Sequence, residues 1–87
     1  MACKIEILAA ARKQILSFPR NIIAEVAGVI DGLADTPRPP GSRKLRSTDL
    51  WRVRVGRYRV IYAIDDKAAL ITVVKIALRR EDTYQGL

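Results

Sequence analysis

Residues 51–62, WRVRVGRYRVIY, decide the fold. Apolar and charged positions alternate on both sides of Gly56-Arg57, the pattern of two half-buried strands joined by a tight turn. Gly56 as first central residue accepts the positive φ of a type II′ turn. That register sets Val55 against Tyr58, Arg54 against Arg59, Val53 against Val60, Arg52 against Ile61 and Trp51 against Tyr62. Side chains alternate across a strand, so Trp51, Val53, Val55, Tyr58, Val60 and Tyr62 share one face. Arg52, Arg54, Arg59 and Ile61 share the other. Like charges directly opposite each other destabilise a sheet, so a chain that sets Arg54 against Arg59 gains from an anion at that face.

The rest of the chain supplies cover for the apolar face. Upstream, Lys4–Leu8 alternates as a short strand, and the alanine-rich Ala9–Ser17 reads as a helix that Pro19 ends. Asn21 is the predicted N-cap of a second helix. Its apolar residues Ile22, Ile23, Val26, Val29, Ile30 and Leu33 recur at spacings of three and four. Thr36–Ser42, TPRPPGS, is a breaker-rich loop, and Ser42–Arg46 leads into the sheet. Downstream, Asp65–Ala68 makes a turn, and the β-branched run Leu70–Ala77 is predicted as a central strand. The expected fold is α+β, of order β-α-α-β-β-β. A helical hairpin packs on one face of an antiparallel-rich sheet, and residues 1–87 form one domain.

Composition narrows the chemistry. The chain has no histidine and one cysteine, Cys3. That removes every Ser-His or Cys-His relay, an internal disulfide and a four-ligand zinc site, so neither metal nor cofactor is expected. Cys3 reads as a small core hydrophobe. The apolar runs fall short of a membrane helix, and no signal-peptide h-region precedes the first charges, so a cytoplasmic location is expected.

Formal charge is +7, unevenly spread. Residues 1–37 balance four basic against four acidic side chains, whereas residues 38–80 hold twelve basic against three acidic. A basic half joined to a neutral half, with its charge concentrated on one hairpin face, points to a polyanionic partner. If Lys75 points the same way as the arginines, parity brings Ala77 and Arg79 to that face too. Lys44 and Arg46 fall at its rim, Arg57 at the turn, and Arg80 just beyond the last strand. Several rigid guanidinium forks at close range are what phosphate recognition needs. Tyr84, five residues after Arg79, reads from spacing alone as an anchor for the tail. A residue there is also within reach to stack on a base or move a proton.

KLR at 44–46, LWRVRVGRYRVIYAID at 50–65 and a β-branched strand running into LRRED-TY at 78–84 resemble the RelE/ParE superfamily of toxins. The PRPPG segment at 37–41 and the element order fit as well. The resemblance covers essentially the whole chain. It implies the toxin of a type II toxin–antitoxin system, with a small, acidic cognate antitoxin and a hetero-oligomeric complex. Its RelE branch cuts messenger RNA in the ribosomal A site, using the 2′-hydroxyl as nucleophile and leaving a cyclic phosphate. The positions matching that branch's working residues are Arg52, Arg54, Arg59, Arg79 and Tyr84; Lys44, Arg46, Arg57, Lys75 and Arg80 are the expected RNA contacts.

Two departures from that branch stand out. Arg52 and Arg54 occupy positions where lysine is frequent, and arginine is a poor general base. Ala77-Leu78 replaces a Gly-His or Gly-Lys pair, so a proton carrier is absent there. The superfamily's other activity, gyrase inhibition in the manner of ParE toxins, therefore stays open, as does an inactive domain that only docks antitoxin or RNA.

Overall fold

The computed structural model describes residues 2–78. Strand β1 spans Lys4–Ile7, helix α1 Ala9–Leu16 and helix α2 Arg20–Leu33; strands β2 to β5 span Arg43–Lys44, Leu50–Val55, Tyr58–Asp65 and Leu70–Leu78. The sheet runs β1-β5-β4-β3-β2. Its pairings are antiparallel except β1 with β5, which is parallel, a pairing that needs a long connection rather than a hairpin.

The predicted hairpin register is the observed one, from Val55 opposite Tyr58 to Trp51 opposite Tyr62. Gly56 has φ +59°, while Arg57 is not left-handed, which selects the type II′ turn over type I′. The apolar face packs on the helices as expected. Val26, Ile30 and Leu33 of α2 and Ala11 and Ile15 of α1 form one core with Val53, Val55, Val60, Tyr62, Ile71, Val73 and Ile76. Cys3 packs half-buried against it. Phe18, in the turn between the helices, lies against Tyr58 with ring centroids 4.4 Å apart.

Three expectations need correction. The cap of α2 is Pro19, not Asn21. Pro19 already has the extended backbone an N-cap requires, and its carbonyl accepts the amides of Ile22 and Ile23 at 3.0 and 2.9 Å. Asn21 therefore falls inside the first turn. The sheet also gains a two-residue edge strand, β2, where only a lead-in was expected. Finally, β5 is not uniform. Ile61 pairs with Lys75 but Tyr62 pairs with Val73, so Val74 is an extra residue in a β-bulge. The bulge reverses parity: Ile71 and Val73 face the helices before it, and Ile76 faces them after it.

The loop between α2 and β2 is tied to the sheet at two points. Tyr62, fully buried, donates its hydroxyl to the Pro37 carbonyl at 2.7 Å. Arg38 makes a two-pronged ion pair with Asp66, at 3.0 and 3.3 Å, and lies 5.1 Å from the ring centroid of Trp51. Burial holds the Tyr62 phenol above its ordinary range, against the opposing effects of a hydrogen bond with Ser42 and the Arg38 charge. No helix of the described residues is long and apolar enough to cross a membrane.

Candidate functional site

The face opposite the helices is built in rows that run across the strands. One row sets Arg54 directly opposite Arg59, with Ala77 beyond it. The next runs Arg43, Arg52, Ile61, Lys75 through β2, β3, β4 and β5. Arg54 is exposed, Arg52 and Lys75 are half-buried, and Arg59 is only 7% exposed. Ile61 is fully buried although it lies on this face and outside the helix-side core. A charge held away from bulk water acts through a lower effective dielectric, so Arg59 is worth more to a bound anion than a rim charge is.

Lys75 reaches this face because of the Val74 bulge. Without the extra residue, Lys75 would pair with Val60 and turn toward the helices. The same shift brings Ala77 beside Arg59. Arg52, Arg54, Arg59 and Lys75 are therefore brought together by one sheet.

Other expected contacts are placed elsewhere. Lys44 lies opposite Trp51, and directly paired residues share a face, so Lys44 turns to the helical side. Arg46 is exposed in the β2–β3 loop, which is closed by Leu45 N to Leu50 O at 2.8 Å and by Thr48 Oγ1 to Leu45 O at 3.1 Å. Arg57 is exposed on the hairpin turn. Arg79, Arg80 and Tyr84 lie outside the described residues.

Arg43, which the sequence did not single out, stands where Lys44 was expected, beside Arg52. Two paired residues make too short a strand for alternation to reveal its phase, so the basic run itself was the one available signal.

Chemically, this face presents fixed positive charge from β2, β3, β4 and β5. It is suited to binding a phosphodiester and to stabilising negative charge that builds up on it. Its arginines keep their charge at any ordinary pH, so none of them serves as a general base.

The fold and this face together define a small α+β domain with one strongly basic sheet face. Residues 5–83 match the family described as the ParE toxin of a type II toxin–antitoxin system, parDE. The chain belongs to that family, within the RelE/ParE superfamily of toxins.

Among solved structures, it is similar to the archaeal RelE–RelB complex from Pyrococcus horikoshii. Identity is 30%, coverage is 93% of this chain and 99% of that one, and the TM-score is 0.84. The toxin–antitoxin complex RelBE2 from Mycobacterium tuberculosis is 24% identical over 91% of this chain and 93% of that one, with a TM-score of 0.83. The intact E. coli RelBE complex shares the fold at 17% identity, over 92% of this chain and all (100%) of that one, with a TM-score of 0.79. A search of the curated proteins finds no significant match. This chain is the toxin of a type II toxin–antitoxin system.

Proposed function

We propose that this toxin is a metal-independent endoribonuclease that cleaves messenger RNA on the ribosome and so stops translation in the cytoplasm. The observation that carries the reading is the convergence of Arg52, Arg54, Arg59 and Lys75 on one sheet face. In the reaction, the 2′-oxygen bonds to the adjacent phosphorus and the bond from phosphorus to the 5′-oxygen breaks. The products are a 2′,3′-cyclic phosphate and a 5′-hydroxyl. The arginines hold the phosphate in line and offset charge on the phosphorane. Tyr84 is the residue left to take the 2′-hydroxyl proton, and the leaving 5′-oxygen gains one. A cognate antitoxin rich in carboxylates covers the basic face and silences it.

The test is an in vitro translation reaction with purified toxin. Cleavage at codons on stalled ribosomes is expected. Intact messenger RNA would remove the reading.

A second reading, gyrase inhibition without nuclease residues, is favoured by the match of residues 5–83 to the ParE family. It predicts intact messenger RNA together with gyrase-dependent DNA damage.

A further inference from the structure

Arg43 lies directly opposite Arg52, so it extends the arginine face one strand beyond β3. Its position is set by a rigid turn. Ser42 N donates to Pro39 O at 2.9 Å, and Gly41 has φ +89°. This is a type II turn with Pro40 at its first central position and glycine at the one that needs a left-handed backbone. Pro40, Gly41, Arg43, Arg52 and Arg54 line a cleft of about 350 Å³, and no described carboxylate does. Neither Arg43 nor Arg52 forms an ion pair with a described carboxylate. Two like charges held face to face by backbone pairing weaken the sheet until an anion sits between them.

We propose that the Arg43–Arg52 pair is a second phosphate seat, which holds the phosphodiester next to the scissile one. The RNA strand then crosses the sheet diagonally, from the Arg54–Arg59 pair toward β2. This rests on the ribonuclease reading above.

Strand geometry sets the scale. Arg52 and Arg54 are two residues apart on β3, about 7 Å along the strand, and the two pairs are offset sideways by about one strand spacing, 4.8 Å. Their centres are thus about 8 Å apart, on the order of one nucleotide step. A nucleic-acid strand presents one charge at every step and meets two such seats in succession. A peptide meets them only with carboxylates at two matched positions.

The test uses the full chain and messenger RNA on programmed ribosomes, over a range of salt concentrations, with wild type, Arg43→Gln and Arg43→Lys. Arg43→Gln is expected to raise KM about five-fold, to change kcat less than about two-fold, and to flatten the salt dependence by about one phosphate contact. Arg43→Lys restores the salt dependence. A wild-type KM and salt slope in Arg43→Gln overturn the seat while leaving the ribonuclease reading intact. Weakened antitoxin binding with unchanged RNA kinetics assigns the pair to a carboxylate partner and also overturns it. Wild-type toxin that leaves messenger RNA uncut removes the ribonuclease reading, and the seat falls with it.

Discussion

Gln14 Oε1 accepts the backbone amide of Ile76 at 2.8 Å, joining α1 to β5 across most of the chain. β1 covers this edge of β5 only as far as Val73, where Leu8 N donates to Val73 O at 3.0 Å. Gln14 satisfies the next part of the edge, beside the bulge that turns Lys75 to the basic face. Gln14→Leu leaves a part-buried amide without its acceptor, at a cost of about 1–3 kcal/mol. Chemical denaturation measures the loss, and faster hydrogen exchange at Ile76 locates it. Gln14→Glu keeps an acceptor and should lose less.

Arg59 and Arg54 make the central pair of the proposed phosphate site. Replacing either by glutamine is expected to lower kcat for messenger RNA cleavage by about 10²–10³, the scale for losing one group that stabilises transition-state charge. Single-turnover cleavage on programmed ribosomes measures this. Activity within two-fold of wild type for both variants would place the chemistry elsewhere.

Two turn residues test backbone strain in opposite directions. Ala69 has φ +51°, a left-handed conformation that costs a side chain about 1 kcal/mol, so Ala69→Gly should gain up to that amount. Gly56 has φ +59° at the first central position of a type II′ turn and open space where a Cβ would go, so Gly56→Ala should lose about 1–3 kcal/mol through backbone strain alone. Urea midpoints at constant slope report both.

The Asp66 carboxyl is held below its ordinary range, first by its hydrogen bond from Arg38 and then by that side chain's charge. A depressed folded-state value means that the pair's contribution is present above the unfolded carboxylate range and fades as pH falls through the folded value. Wild type should therefore lose more stability than Asp66→Asn between neutral pH and about pH 3. The difference should be small, because the pair is solvent-exposed. Thermal melts across that interval measure it, and equal pH profiles would show that the pair contributes nothing.

The toxin–antitoxin complex should weaken with salt where carboxylates meet the basic rim, while its apolar contacts persist. Calorimetric titration with the cognate antitoxin at low and high ionic strength measures this. A salt-independent affinity would show that charge pairing is not its basis.

Much of this protein was legible in the chain because strand and helix periods differ. WRVRVGRYRVIY alternates cleanly about a glycine that a tight turn needs, so the hairpin register and the arginine face follow from local chemistry alone. The spacing of Val26, Ile30 and Leu33 likewise marked the face of α2 that is buried.

What alternation cannot supply is the phase of a strand whose partner breaks or barely starts the pattern. The bulge at Val74 and the two-residue pairing of β2 are settled by neighbouring strands, and they alone decide that Lys75 and Arg43, rather than Lys44, join the arginines. The physical reason is that a one-residue shift in register reverses the face of every side chain beyond it, and only the hydrogen-bonded partner strand sets that register.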